Sequence, residues 1–214
     1  IQKYLDRRKP GTSKYTTKRN ESDKAHIMSG VFEGRTTGTP ISVVIYNEDH
    51  HSADYSDIAQ YYRPGHADYT FDAKYGFRDY RGGGRSSGRE TAARVAAGAI
   101  AIKILKELGI EVYAYSKCIG GVEISYDRFD IEERDNNAFA VPDKMAVSEI
   151  EKVADKAISD MDSIGGVIEC VVKGMPVGIG ETVFDKLDAN ISKAVMSIGA
   201  TKGIEIGAGF EVAS

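Results

Sequence analysis

An alanine-rich stretch over 91–108 is the feature that most constrains how this chain can fold. Alanine and leucine dominate the stretch, and both residues favour helix. Ser87 and Glu90 just before it have the spacing of a capping box, and Gly109 follows as a natural stop. The pattern therefore predicts a helix over 89–108. Because most of its side chains are small, another element must pack closely against it.

Three consecutive glycines at 82–84 come just before that helix, and Arg81, Arg85 and Arg89 surround them. The free N–H groups and the positive dipole end of a helix N-terminus attract anions. Glycine lets the backbone approach such an anion closely, and arginine adds charged, bidentate donors. The segment therefore predicts an anion-binding loop, and the alternative is a basic surface loop that only caps a helix. It matches neither a P-loop nor a dinucleotide fingerprint.

His66 follows Pro64 and Gly65, which mark a tight turn, so the imidazole lies on a constrained loop. Histidine exchanges a proton near neutral pH, which suits a general acid or base. The alternative is a histidine that only hydrogen-bonds within its turn. The remaining histidines, at positions 26, 50 and 51, lie in polar surroundings, and we expect no metal site from them.

The charges are unevenly distributed along a chain of 214 residues with a net charge of −4. Residues 1–24 hold eight Lys/Arg against three Asp/Glu, whereas residues 123–190 hold seven against sixteen. A basic segment beside an anion loop suits a small polyanionic ligand. Aromatic and basic residues alternate at 14–19 and 61–63, as in single-strand nucleic-acid binders, but the acidic total argues against that class.

The cysteines and the hydropathy of the chain indicate in which cellular compartment the protein is expected. Cys118 and Cys170 stand alone, without Cys-x-x-Cys spacing, which favours reduced thiols in a cytoplasmic protein. Arg94 and Lys103 interrupt the most apolar stretch, so we expect no membrane span.

Hydrophobic periodicity predicts a mixture of helices and strands, which fits either an α+β or an α/β fold. Pro142 and Asp143 open an amphipathic helix whose apolar face includes Ile150 and Ala154. In chain order, the predicted elements are a strand at 41–46, the helix at 89–108, a strand at 111–115, a loop at 126–138, the helix opened at 141–143, a strand at 167–172, a loop at 174–180 and a helix at 184–198.

Two long runs carry a family resemblance. Arg-Pro-Gly-His-Ala-Asp-Tyr-Thr at 63–70 and Lys-Tyr-Gly-Phe-Arg-Asp-Tyr-Arg-Gly-Gly-Gly-Arg-Ser-Ser-Gly-Arg-Glu-Thr at 74–91 closely resemble the chorismate synthases. Further blocks that are similar to the family lie at 5–11, 29–34, 36–41, 162–166, 183–189 and 202–207. Three positions depart from its usual residues: Lys14 (often arginine), Gly88 (usually alanine) and Gly199 (often asparagine or proline).

The resemblance implies a carbon–oxygen lyase of the shikimate pathway, which leads to the aromatic amino acids. Such an enzyme converts 5-enolpyruvylshikimate 3-phosphate to chorismate and phosphate by an anti-1,4 elimination, and it requires reduced FMN. The implied fold is α+β, with helices sandwiched between antiparallel β-sheets, and the implied assembly is a homotetramer in the cytoplasm. The family's Gly-Glu-Ser-His-Gly and Gly-Arg-His-Asp-Pro blocks are not in this chain. We therefore expect residues 1–214 to be one domain that is incomplete at both ends.

Site residues are carried over from the resemblance position by position. His66 resembles the histidine that protonates reduced flavin. The FMN contacts implied are Arg85, Ser86, Ser87, Gly199 and Ala200; the substrate contacts are Arg8, Arg63 and Arg89; and Arg8 and Lys14 lie where a nicotinamide nucleotide (NADP) is bound, with NADPH as a candidate reductant. No nucleic acid, membrane or metal is implied. The alternatives are a catalytically inactive flavin-binding homologue or fragment, and a single-strand binder.

Overall fold

A computed structural model describes residues 1–17, 19, 21–48 and 57–214, with only the backbone described at residue 57. In chain order, the helices are α1 (Gln2–Arg8), α2 (Asp68–Tyr75), α3 (Thr91–Glu107), α4 (Lys144–Ser159) and α5 (Leu187–Met196). The strands are β1 (Ala25–Ser29), β2 (Val31–Phe32), β3 (Arg35–Thr36), β4 (Ser42–Ile45), β5 (Glu111–Ile119), β6 (Val122–Glu123), β7 (Gly166–Lys173), β8 (Gly180–Glu181) and β9 (Asp185–Lys186).

The described chain divides into two compact units. The first comprises residues 1–26, 46–48 and 97–175, and the second comprises residues 27–45, 57–96 and 176–214. The pairs β2–β3, β5–β6, β5–β7 and β8–β9 are all antiparallel. The combination of helices with antiparallel strands confirms the α+β prediction and excludes the α/β alternative. Within the described residues, no helix is long and apolar enough to cross a membrane.

The core of the first unit lies between the β6–β5–β7 sheet and α4. It contains the buried side chains of Tyr115, Ile124, Val141, Ala146 and Ile150. On α4, the buried residues recur every four positions, which places them on one face of the helix. This face is the apolar face that the sequence predicts for the helix opened at 141–143.

Asp143 organises the start of that helix. Its buried carboxylate accepts hydrogen bonds from the backbone N–H groups of Met145 and Ser125, both at 3.0 Å. It also accepts from Nε (3.1 Å) and Nη2 (2.7 Å) of Arg128. The Arg128 guanidinium holds the pKa of this carboxyl below its usual value. Asp143 therefore both caps α4 and ties it to the turn that follows β6.

The predicted helix at 89–108 forms, but it begins differently. Residues Gly88–Glu90 make a 3₁₀ turn, and α3 starts at Thr91. The Ser87 hydroxyl does cap the turn, but it accepts from the N–H of Arg89 and not from that of Glu90. The other half of the capping box is wrong, because the Glu90 carboxylate accepts from Arg94 and the Ser87 N–H donates to the Gly84 carbonyl.

Strand predictions at 41–46 and 167–172 are confirmed by β4 and β7, whereas other boundaries change. The strand predicted at 111–115 extends to Ile119 because β7 pairs along its whole length. The last helix starts three residues later than predicted, since Asp185 and Lys186 form β9 and pair with β8. The loop predicted at 126–138 contains two 3₁₀ turns, Tyr126–Arg128 and Ile131–Asp135. Helices α1 and α2 were not predicted.

Candidate functional site

The glycine loop has a backbone that only glycine adopts easily. The φ angles of Gly82, Gly83 and Gly84 are +123°, +84° and +51°, in a region that other residues rarely occupy. A Cβ on Gly83 would lie 2.8 Å from the Ser86 hydroxyl oxygen, and one on Gly84 would lie 3.2 Å from Asp79 Oδ2. The loop therefore needs glycine for both its conformation and its space.

Polar groups that a ligand could reach follow these glycines. The Ser86 hydroxyl donates to the Gly83 carbonyl at 2.6 Å, so its oxygen keeps lone pairs available to accept. Ser87 caps the 3₁₀ turn that leads into α3. The Arg85 side chain is exposed and pairs with no carboxylate among the residues that the structure describes. Arg85 is therefore a cation presented to solvent in the 3₁₀ turn Gly84–Ser86, which precedes α3.

The tautomer of His66 follows from its hydrogen bond. The exposed imidazole places Nδ1 3.1 Å from the Pro64 carbonyl oxygen. A carbonyl only accepts, so Nδ1 carries the hydrogen, and Nε2 of the neutral ring has a free lone pair. Nε2 can take up a proton and release it again. This geometry agrees with an acid–base role, although the hydrogen bond within the turn also fits the structural alternative.

Arg63 anchors the loop that carries His66. Its Nε and Nη2 donate to the buried carboxylate of Asp68 at 2.9 and 3.0 Å, and its backbone N–H donates to the same carboxylate at 3.0 Å. These donors keep the pKa of Asp68 well below its usual range. The structure thus pairs Arg63 within the protein, at the first residue of α2, and its contact with substrate stays a prediction.

Arg78, which the sequence reasoning did not single out, secures the same region. Nη1 donates to Asp72 at 2.6 Å, and Nη2 donates to the backbone carbonyls of Ile58 and Tyr61 at 2.5 and 2.8 Å. The guanidinium also lies 4.8 Å from the ring centroid of Tyr62. No local pattern identifies such a residue, because its partners come from two separate segments, 58–62 and α2.

The second predicted flavin stretch follows α5 as a turn. Ala200 has φ +69°, and the Thr201 N–H donates to the Ile198 carbonyl at 3.3 Å. This turn belongs to the second unit, as do residues 63–90. Arg94 joins the two regions, because its Nη1 donates to the Ser197 hydroxyl at 2.6 Å. Arg94 is also absent from the predicted site.

Arg8 and Lys14 lie in the first unit. Nη1 of Arg8 donates to the fully buried carboxylate of Asp23 at 3.0 Å. The Lys14 ammonium lies 2.9 Å from Asp155 Oδ1 on α4, and this contact raises the lysine pKa above its usual value. Both cations therefore have carboxylate partners, and for Lys14 this weakens the case for a nucleic-acid-binding segment at 14–19.

The remaining residues singled out from the sequence are Arg89 and the other histidines. Arg89 is half-buried in the 3₁₀ turn before α3. His26 makes an edge contact with Tyr46, with the ring centroids 5.5 Å apart. His50 and His51 lie outside the described residues, as does Lys18. Among the described residues, no group of three or more His, Cys, Asp or Glu side chains could hold a metal ion.

Fold and site define an α+β protein with a glycine- and arginine-rich loop that leads through two 3₁₀ turns into α3. Comparison with known proteins then identifies the family within this class of fold. The sequence profile of chorismate synthase matches residues 1–214, so the chain belongs to the chorismate synthase family, as its motifs predict.

Individual relatives agree with the family. The chain is 69% identical over 213 residues to the chorismate synthase of Lachnospira eligens and 62% identical to that of Lachnoclostridium phytofermentans. A crystal structure of a chorismate synthase superposes with a TM-score of 0.78 at 32% identity and covers 99% of this chain. The chain spans 58% of the length of the two curated relatives and 60% of that solved chain.

Proposed function

We propose that this chain, within a protein of its relatives' full length, is part of a chorismate synthase. That enzyme is a lyase that eliminates phosphate from 5-enolpyruvylshikimate 3-phosphate to give chorismate, with reduced FMN bound. The observation that carries the proposal is the loop at 82–89, where three left-handed glycines and the exposed Arg85 precede α3. Such a loop suits a phosphorylated ligand.

The residues present fit the phosphate of FMN. A Cβ on Gly82 would meet nothing within 4 Å, so the loop leaves space for a ligand at this position. Arg85 supplies a charge, and Ser86 and Ser87 supply hydroxyl groups. We assign FMN to these three residues together with Gly199 and Ala200. Bound reduced FMN would supply electrons for the elimination and recover them, because the reaction has no net redox change.

The remaining residues are assigned to substrate binding, proton transfer and nucleotide binding by their charge and their ability to move a proton. The substrate carries a phosphate and carboxylates, and we assign these anions to Arg8, Arg63 and Arg89. The elimination releases a proton as well as phosphate, so the site needs a group that moves protons. Nε2 of His66 fits this task, since it can accept a proton and pass it on; the role that the resemblance implies for it is to protonate reduced flavin. Arg8 and Lys14 remain the proposed nicotinamide-nucleotide contact, with NADPH as reductant.

The proposed setting also follows the family. We propose a cytoplasmic homotetramer that acts in aromatic amino-acid biosynthesis. The two cysteines, Cys118 and Cys170, are both free, which suits a reducing compartment. Size-exclusion chromatography with light scattering on the full-length protein tests the tetramer, and a monomer or dimer would contradict it.

The proposed reaction is tested by its flavin requirement. We expect the full-length protein to release phosphate and form chorismate under anaerobic conditions with reduced FMN. It should be inactive with oxidised FMN or without flavin. Chorismate formation is followed by absorbance, and phosphate release by a coupled assay. Full turnover in air without reductant or flavin would contradict the proposal, and tight FMN binding without turnover would favour an inactive flavin-binding homologue.

Replacing Arg85 by alanine is expected to weaken FMN binding about tenfold or more. The change removes a charged donor, and a hydrogen bond to a charged group is worth about 1.5–3 kcal/mol. Fluorescence titration of FMN measures the affinity. Lys106→Ala is a matched control, because it removes one exposed positive charge at the other end of α3. Equal affinity in wild type and Arg85→Ala would exclude Arg85 from the flavin site.

A further inference from the structure

Arg94 makes a bridge between two segments that are 103 residues apart in the sequence. Its Nη1 donates to the Ser197 hydroxyl at 2.6 Å, and its Nη2 donates to the Ser197 carbonyl at 3.2 Å. Its Nε donates to both carboxylate oxygens of Glu90, at 3.0 and 3.1 Å. These four hydrogen bonds go to two residues, Glu90 in the 3₁₀ turn before α3 and Ser197 at the end of α5.

The position of the guanidinium suits both helix ends. Ser197 is the C-cap of α5, where the carbonyl groups carry partial negative charge and a cation is favoured. Glu90 stands just before α3, where a carboxylate is favoured for the opposite reason. Glu90 also orients the guanidinium from the i−4 position of the same helical segment. Arg94 therefore connects the C-terminal end of α5 to the N-terminal end of α3, and the charges at both ends favour this contact.

Each end of this bridge adjoins one of the two proposed flavin stretches. Glu90 closes the 3₁₀ turn that Ser87 caps, directly after the loop of Arg85 and Ser86. Ser197 leads into Ile198, whose carbonyl accepts from the Thr201 N–H and so closes the turn that holds Gly199 and Ala200. A shift of Ser197 would carry this turn with it.

We propose that Arg94 is a positioning residue, which holds the turn at 198–201 against the start of α3 so that both stretches reach one ligand. This inference rests on the proposed flavin site. The role does not require Arg94 to touch the ligand, because its hydrogen bonds to Ser197 and Glu90 form within the protein. Lysine cannot reproduce the role fully, since an ammonium on a flexible stem lacks the planar fork that contacts both Ser197 oxygens.

The first test measures FMN affinity in the full-length protein. We expect Arg94→Gln to weaken binding about 3- to 10-fold, with Arg94→Lys restoring part of the loss. Ser197→Ala should weaken binding less, because the Ser197 carbonyl remains. Adding Ser197→Ala to Arg94→Gln should have no further effect, since the contact is already lost. Fully additive losses would overturn the positioning role.

The second test needs no ligand. Hydrogen exchange at the amides of Ile198 and Thr201 should be faster in Arg94→Gln than in wild type, while amides within α4 are unchanged. Lys152→Gln is the matched control, because it removes a cation from an exposed i,i+3 ion pair on α4. Unchanged exchange at 198 and 201 would overturn the inference. Faster exchange in a protein that binds no FMN would uphold the bridge and reject the flavin site.

Discussion

Replacing His66 by alanine is expected to slow turnover of the full-length protein by about 10²–10⁴-fold, the usual effect of removing a positioned acid–base group. The side chain is exposed, and its Nδ1 hydrogen-bonds to the Pro64 carbonyl two residues earlier. Its loss therefore leaves no cavity in the core. Arg63, which pairs with Asp68 through three donors, still anchors the loop. The melting temperature and FMN affinity should change little.

Two measurements on one purified variant separate the roles of His66. Initial rates at saturating substrate report turnover, and thermal unfolding reports stability. A histidine that only shapes its turn predicts a lower melting temperature and nearly normal turnover in the folded fraction, which would show the acid–base assignment to be wrong. His26→Ala is the matched control, because it removes a half-buried imidazole whose contact is the ring of Tyr46.

Replacing Asp143 by asparagine is expected to lower the free energy of unfolding by about 2–3 kcal/mol at neutral pH. The buried carboxylate accepts four hydrogen bonds, two from the Arg128 guanidinium and one each from the N–H groups of Ser125 and Met145. Asparagine keeps the shape but loses the charge, and its NH₂ group cannot accept. Urea unfolding of the full-length protein measures the change.

The effect of Asp143 should also depend on pH in a defined direction. Its folded pKa is lowered, with Arg128 as the first cause, so the carboxylate stabilises the fold above its unfolded pKa of about 3.9. That contribution is lost as pH falls through the folded pKa. The stability difference between wild type and Asp143→Asn should therefore shrink below about pH 4.

Asp160→Asn is the matched control for this pH series, because Asp160 is an exposed carboxylate at the other end of α4. It should change stability by less than about 0.5 kcal/mol at neutral pH. A difference between wild type and Asp143→Asn that stays constant down to pH 3, or that is absent at pH 7, would show that the buried ion pair is not the source of the stability.

The sequence predicted those elements that form through interactions between residues close together in the chain. The alanine-rich run became α3, and Gly109 ends it with φ +75°. The Pro142-Asp143 opening became the capped start of α4, since an N-cap needs only its own backbone neighbours. The glycines at 82–84 adopt positive φ angles, which glycine reaches without a steric cost. Family membership was also readable from ordered motifs, without any knowledge of contacts.

Partners that are distant in the chain could not be predicted, because several carboxylates compete for each cation until the fold brings one of them near. Competition between near neighbours decided one further partner, because Arg94 lies one helical turn from Glu90 and takes the carboxylate that the capping-box pattern assigned to the Ser87 N–H. Nothing near Lys14 in the sequence points to Asp155.

Residue types and their order along the chain were therefore enough to predict the α+β class, the constrained turn of His66 and the family. Only the tertiary structure decided that Arg63 is paired with Asp68, that residues 185–186 form β9 and not the first turn of α5, and that Arg94 contacts Ser197. The physical reason is that each of these contacts needs a specific distance between side chains, and that distance is set by how whole elements pack.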